Sequence, residues 1–254
     1  MNVLITAGNT QAPIDRVRCI TNIFSGRTGA SIAMEAHARG HNVTLATSHP
    51  EAAEALNRKR PEGWRVLTYR TFDELEALMA RVVLGQALDA VVHCAAVNDY
   101  RSDGIFAPVE GTQFDANQGC WRSALGSEPQ LESRAAGKVK SSEPELWLRL
   151  VRSPKLIDRI RRDWSFTGLL VKFKLEVDVG DDALTKTAEV SRLQSQADLM
   201  VANSLEGMTS WAFIGPVGGR YEKIPRRELA VRLIVELEGL DEASRSAPQT
   251  PRRG

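Results

Sequence analysis

Apolar residues along this chain follow two alternating rhythms. Short strand-like runs stand at Val3 to Ala7, Asn42 to Thr47, Trp64 to Tyr69, Asp89 to Ala96, Leu169 to Phe173 and Leu199 to Ala202, the run from Asp89 to Ala96 being almost unbroken in apolar residues. Their length and β-branched content suit buried strands. Between them the spacing widens to that of a helix. Arg27 to Arg39 places Gly29, Ala33 and Ala36 on one face and meets a stop at Gly40. Thr71 and Glu74 form a capping box ahead of Phe72, Leu75, Met79 and Val82, and that helix stops near Gly85. Ser153 and Pro154 open another helix with Leu156, Ile157 and Ile160 inward; a further one surrounds Asp182 to Gln196, and Pro225 to Leu240 is amphipathic. Strand and helix in alternation predict an α/β fold, a Rossmann-like, mostly parallel sheet with helices on both faces.

One region breaks the rhythm. Arg101 to Gly137 has little periodicity, with Gly, Pro, Ser, Gln and Asn scattered through it. So long a loop is uncommon inside a compact domain and is usually functional or disordered. Glu145 to Leu150 then alternates like a strand. Residues 101–150 are therefore read as an arm or flap inserted in a single domain spanning 1–240, with 241–254 as a frayed tail.

Composition narrows the function. Hydrophobic residues make up 43% of 254, enough for a sizeable core. A net charge of +1 gives no case for nucleic acid or an anionic membrane. No apolar run has the roughly 20 residues of a membrane helix. The chain opens directly on a strand-like segment, so no signal peptide is read. Cys19, Cys94 and Cys120 show no metal-type spacing and are odd in number, which fits a reducing cytoplasm.

Candidate chemistry gathers in four places. Thr6 to Thr10 and Ser25-Gly26-x-x-Gly29 form a loop of small and hydroxyl residues before a helix start. Gly8, Thr10, Ser25 and Gly26 there suit a phosphate, or else a tight turn with a capping serine. The long loop between holds Arg18, whose planar fork can clamp a phosphate or carboxylate, and Asn22, whose amide can donate to a carbonyl oxygen gaining charge. Either is also an ordinary solvated side chain. Ala95 to Tyr100 ends a buried strand, where ligands of open α/β sheets bind. Ala96 permits close approach, and Asp99 can accept from a nucleotide, assist a magnesium ion or simply cap a turn. Lys138 and Lys140 share one side of an extended segment and suit a polyphosphate, or solvent. Phe173 can wall a base pocket or belong to the core.

In this order the segments resemble phosphopantothenoylcysteine synthetases. That family carries an I-T-A-G-G-T-like first loop, an R-x-I-T-N-x-S-S/T-G-x-x-G segment, A-V-x-D-Y/F, K-I-x-S/K, and strand ends like F-K-L-E and V-A-N-D. Here they stand at Thr6 to Thr10, Arg18 to Gly29, Ala96 to Tyr100, Lys138 to Ser141, Phe173 to Glu176 and Val201 to Ser204, with Pro13-Ile14-Asp15 also in place. The resemblance implies ligation of 4′-phosphopantothenate to L-cysteine through an acyl-nucleotidyl intermediate, with CTP or ATP as cosubstrate and Mg2+. It implies that Asn22 holds the acyl intermediate, Arg18 and Ala96 place it, Lys138 neutralises the triphosphate from a closing flap, and Asp99 and Phe173 border the nucleotide. It also implies a homodimer in which the arm packs on the partner subunit. Many bacterial members are fused behind an FMN-dependent decarboxylase. No such domain fits in 254 residues, so neither FMN nor decarboxylation is expected.

Four departures stand out: Asn9 for glycine, Asn98 for a small residue, Lys172 for glycine or serine, and Ser204 for aspartate. They leave open a diverged paralogue or a non-catalytic nucleotide-binding protein. A short-chain nicotinamide reductase fits less well. Its acidic ribose partner is missing from Thr47-Ser48-His49, and Tyr69, Tyr100 and Tyr221 have no lysine four residues on.

Overall fold

The computed structural model describes residues 1–56, 62–124 and 126–246. Its elements run β1 (Asn2–Ala7), β2 (Gln11–Pro13), β3 (Cys19–Thr21), α1 (Arg27–Ala38), β4 (Asn42–Thr47), α2 (Pro50–Leu56), β5 (Trp64–Thr68), α3 (Phe72–Gly85), β6 (Ala90–His93), β7 (Tyr100–Pro108), β8 (Thr112–Asp115), β9 (Cys120–Ser123), β10 (Leu131–Ser133), β11 (Trp147–Arg152), α4 (Leu156–Arg162), β12 (Leu169–Glu176), α5 (Asp181–Gln194), β13 (Leu199–Ser204), β14 (Trp211–Val217), β15 (Arg220–Pro225) and α6 (Leu229–Ser246). They divide into a main unit of residues 1–10, 23–97 and 155 onward, and a second unit of residues 11–22 and 98–154.

The main unit is built on one sheet in the order β15-β14-β13-β12-β6-β1-β4-β5. From β5 to β13 all neighbours are parallel; β14 and β15 are antiparallel. Successive side chains of a strand face opposite ways, and the core obeys this. Val3 and Ile5 join Val92, Val171, Leu199 and Val201 under α1 and α6. Leu4 joins Val91 and Leu170 under α3 and α4. Leu4 and Ile5 are both fully buried, and each such side chain stabilises the fold by roughly 1.5–3 kcal/mol. The expected α/β sheet with helices on both faces is therefore present.

Local signals explain the element ends. Thr71 Oγ accepts the Glu74 N–H while the Glu74 carboxylate accepts the Thr71 N–H, a box that stabilises by about 1 kcal/mol. Gly40, at φ +87°, follows the end of α1. Gly29 lets α1 lie against β1, because a Cβ there would stand 2.6 Å from Ala7 Cβ and 3.0 Å from the Thr6 carbonyl oxygen.

Several expectations are corrected. The final helix starts at Leu229, not Pro225, since β15 runs through Pro225 and a 3-10 turn over Arg226–Glu228 intervenes. It continues to Ser246, so residues 241–246 of the expected tail are helical; 247–254 lie outside the described residues. The β14–β15 hairpin and α2 were not expected. Ala96 lies beyond β6 and makes only an isolated parallel bridge to Asn9.

The second unit is not the aperiodic loop expected for 101–137. β7 pairs with both β10 and β11, β8 pairs with β9, and β2 pairs with β3, all antiparallel. Phe114 and Trp121 face each other across β8–β9, and both rings meet Trp147 of β11 at 4.6 Å. Three aromatic rings supply a small core that no long-range periodicity announces.

Candidate functional site

In the main unit the strand order read outward from β1 reverses between β4 and β6, its two neighbours. Ligands of open α/β sheets bind beyond the strand ends at such a switch point. Gly8, Asn9 and Thr10 leave β1 there, and Cys94 to Val97 leave β6. The two exits are stitched together: Ala96 N–H donates to the Gly8 carbonyl at 2.8 Å, and Thr10 N–H to the Ala96 carbonyl at 3.3 Å. Gly8 holds φ +88°, and a Cβ on it would lie 2.2 Å from Ser48 Oγ. Gly26, at φ +75°, would set a Cβ 2.9 Å from the Gly8 nitrogen. Only glycine fits either place.

Gly26, not Ser25, is the N-cap of α1, and no side chain caps the helix. The capping-serine alternative is thus removed, and Ser25 is exposed. Asn9, which replaces a glycine of the resembling family, turns its side chain aside. Ser48 Oγ donates to Asn9 Oδ1 at 3.1 Å and accepts the Asn9 N–H at 2.9 Å.

Arg226 was not among the candidates, yet its guanidinium bonds Thr28 Oγ in the first turn of α1. Burial lowers its pKa, and no carboxylate pairs with it among the described residues. A cation at a helix N-terminus opposes the macrodipole, so an anion there would relieve both. Nothing in the 3.6-residue pattern of Pro225-Arg226-Arg227 announces this placement. Nearby, burial pushes the Cys94 thiol up to about 12, against the pull of Arg226 and the Gly29 N–H. That makes it an inert thiol rather than a nucleophile.

The other main-unit candidate, Phe173, is half-buried and packs against the cluster under α1 and α6, as its core alternative anticipated. Lys174 on the same strand pairs with Glu176 at 3.0 Å. Tyr69, a tyrosine that a reductase would need free, instead donates its hydroxyl to the Ala7 carbonyl at 2.6 Å, and burial raises its pKa.

The second unit carries Arg18, Asn22, Asp99, Lys138 and Lys140, and bonds around Asp15 fix Arg18 and the segment between the two lysines. Asp15 builds the β2–β3 turn by accepting the Val17 and Arg18 N–H groups at 2.9 Å each. Its other oxygen accepts the Arg18 guanidinium at 2.6 Å and the Val139 N–H at 3.0 Å. Arg18 Nη2 also donates to the Val139 carbonyl at 2.7 Å. Asp15 and Arg18 thus grip Val139 from both sides, and the buried Val139 leaves Lys138 and Lys140 exposed on either flank. The Arg18 guanidinium, with its wholly covered Asp15 partner, holds the Asp15 carboxyl far below the usual range, helped by the Val139 N–H. In this structure Arg18 braces the lysine segment rather than presenting an empty fork. The segment itself bends at Gly137 and Lys138 and is not a strand. Asn22 follows β3 directly and is half-buried. Asp99 is exposed at the start of β7, caps no helix, and accepts the Ser153 N–H on its carbonyl at 2.8 Å.

Among the described residues no three His, Cys, Asp or Glu side chains converge as a metal cage. A magnesium ion held mainly by phosphates needs only one or two carboxylates, so a nucleotide-binding site does not require such a cage. Cys19, Cys94 and Cys120 are unpaired, and no described helix is long and apolar enough to cross a membrane.

Behind the rim sits His93, buried next to Lys172. Burial first, and the Lys172 charge second, push its pKa down to about 4 from 6.5. The folded protein resists a proton that the unfolded chain accepts. The stability His93 contributes is therefore present above pH 6.5 and is lost as pH falls from 6.5 to 4, by about 3 kcal/mol. Urea unfolding of His93→Asn, which has no titrating ring, should show a shallower loss over that window. Equal slopes in wild type and variant would assign the acid sensitivity elsewhere.

Residues 1–107 match the family model described as DNA/pantothenate metabolism flavoprotein C-terminal domain. The chain is 31% identical over 241 residues to the coenzyme A biosynthesis bifunctional protein CoaBC of Thermococcus kodakarensis, covering 93% of this chain and 50% of that protein. It thus spans about half the length of the bifunctional relatives. It is 26% identical to the mouse phosphopantothenate–cysteine ligase, over 94% of this chain and 84% of that enzyme. A solved structure of the DNA/pantothenate metabolism flavoprotein from Streptococcus pneumoniae superposes with a TM-score of 0.74 at 24% identity, over 94% of this chain and 99% of that one. The sequence of residues 1–107 thus matches the family of the DNA/pantothenate metabolism flavoprotein C-terminal domain, and the fold over nearly the whole chain is that of the Streptococcus pneumoniae structure.

Proposed function

We propose that this protein joins 4′-phosphopantothenate to L-cysteine in coenzyme A biosynthesis. A carboxylate oxygen of phosphopantothenate attacks the α-phosphorus of a nucleoside triphosphate, and pyrophosphate leaves. The amine of cysteine then attacks the carbonyl of the acyl-nucleotidylate, loses a proton, and expels the nucleoside monophosphate. The observation that carries this reading is the uncapped start of α1 beside Gly8, Gly26 and Arg226, an arrangement that favours a phosphate. The relatives named as phosphopantothenate–cysteine ligases supply the substrate class.

Roles follow from chemistry. Gly8, Thr10, Ser25 and Gly26 receive phosphate on backbone and hydroxyl donors, with Phe173 and Asp99 bordering the nucleotide. Ala96, with its small side chain, lets the acyl chain pass close and helps place it. Asn22 donates to the acyl oxygen, Lys138 and Lys140 neutralise the triphosphate, and Arg18 holds Lys138 in place. Asp99 would help hold a magnesium ion brought in with the triphosphate, and that ion would screen phosphate charge. CTP is the expected nucleotide, with ATP the alternative. Neither half of this ligation changes an oxidation state, so the reaction itself calls for no flavin. A homodimer with the 101–150 arm on the partner copy completes the reading, in a reducing cytoplasm that suits three free thiols.

The test is pyrophosphate release by purified protein with magnesium, phosphopantothenate and cysteine, with CTP and ATP supplied separately. Release that requires phosphopantothenate is expected, and the faster nucleotide identifies the cosubstrate. No release with either nucleotide would discard the ligase reading in favour of a binding protein or a diverged paralogue.

A further inference from the structure

Three central strands carry a polar residue at the same level. Thr6 of β1 is in register with His93 of β6, and His93 with Lys172 of β12. They lie on the face that is otherwise Leu4, Val91 and Leu170, and all three are buried. Buried polar groups are costly unless bonded, and each of these is bonded. Lys172 Nζ donates to the Ser191 carbonyl at 2.9 Å and to Ser195 Oγ at 2.6 Å, and that hydroxyl donates to Asp158 Oδ1 at 2.6 Å. The ammonium is thus anchored toward α4 and α5, with Lys155 and Lys174 as its other charged neighbours.

Its charge and the burial keep His93 neutral, so Nδ1 can accept the Thr6 hydroxyl, 3.0 Å away. The Thr6 oxygen then has its lone pairs free to accept the Ala95 N–H at 3.1 Å. The next residue, Ala96, ties both its backbone groups to Gly8 and Thr10. A line of bonds therefore runs from the buried row to the two loops at the switch point. The Lys172 departure from the family pattern sits at its base.

We propose that Thr6 and His93 are positioning residues, which lock the Ala95–Ala96 exit to the first loop so that Ala96 meets substrate in one geometry. This rests on the ligase reading for its kinetic consequence, but not for the clamp itself. Thr6→Val and His93→Leu delete the bond; Thr6→Ser and His93→Asn keep an oxygen near each lost atom. In the deleting variants, exchange of the Ala95, Ala96 and Thr10 amides should quicken roughly tenfold with α6 unchanged. Their kcat/KM for phosphopantothenate should fall roughly tenfold, and the double variant should be no worse than the poorer single. The serine and asparagine variants should restore both readouts to within about threefold.

Unchanged exchange at those amides in a folded deleting variant would overturn the clamp, as would additive losses in the double variant. A wild type without ligase activity would refute the reaction, while the exchange arm would still decide the clamp. Should Thr6→Val not fold, His93→Leu carries the same comparison.

Discussion

Asn22→Asp is expected to separate the two halves of the reaction. In the first half the reacting centre is phosphorus, and an amide at residue 22 has little to stabilise. In the second, attack of the cysteine amine places negative charge on the acyl oxygen. An amide N–H aimed at that oxygen lowers the barrier, and losing such a donor typically costs about 10²–10³ in rate. Aspartate removes the donor and sets a carboxylate against the developing charge. Asn22 follows the last residue of β3, and the Asp15 turn at the other end of that hairpin keeps its own bonds in the variant. The variant should release a burst of pyrophosphate close to one per enzyme, accumulate the acyl-nucleotidylate on the protein, and turn over roughly 10²–10³ more slowly. Mass spectrometry of the quenched burst identifies the intermediate. Wild-type turnover in this variant would remove Asn22 from the mechanism.

The parts of the fold that announce themselves in sequence are those whose information is local. β4 and α3 are readable because buried runs and a capping box lie within a few residues of each other. α1 is readable for the same reason, its small residues predicting the close approach that Gly29 makes. Other parts depend on what is distant. β2, β3 and β10 have three residues each, too few for a period of two to register, and β3 and β10 are exposed throughout. The β14–β15 hairpin did carry a signal, Gly218-Gly219 between two strand-like runs, with both glycines at positive φ. A reading tuned to alternation of strand and helix passes over it, because antiparallel additions obey another rhythm. Proline at 225 points to a helix start by its fixed φ, yet it closes a strand, since φ near −65° also fits an edge strand.

The site divides the same way. The glycine loop is legible because its requirement for positive φ and close approach is written in consecutive residues. The grip of Asp15 on Val139 joins segments 124 residues apart, and no spacing rule reaches that far. Arg226 at the start of α1 is a tertiary neighbour for the same reason. Arg18 shows the cost of reading side chains singly: its type suggested a clamp for a ligand, and its acid partner three residues earlier claims the fork.

That grip makes a second large effect predictable. Lys138→Gln keeps the length and polarity of the side chain and removes its charge. If Lys138 neutralises the triphosphate as pyrophosphate departs, the first step should slow by roughly 10²-fold, while decay of preformed acyl-nucleotidylate with cysteine should be unaffected. Lys140→Gln, on the other side of Val139, should have the smaller effect. Arg18→Ala should reproduce much of the Lys138→Gln defect, because it frees the Val139 carbonyl and strips Asp15 of its counter-charge. Two residues acting through one charge are not additive, so the double variant should release pyrophosphate no more slowly than Lys138→Gln alone. Additive losses would mean that Arg18 meets substrate itself. Pyrophosphate release unchanged in Lys138→Gln would leave the lysine as a surface charge. The brace should also survive mild acid: the Asp15 pKa is depressed by Arg18 and Val139, so its contribution stands above the ordinary carboxylate range and fades only as pH falls well below it. Loss of first-step activity between pH 6.5 and 5 must then come from another group.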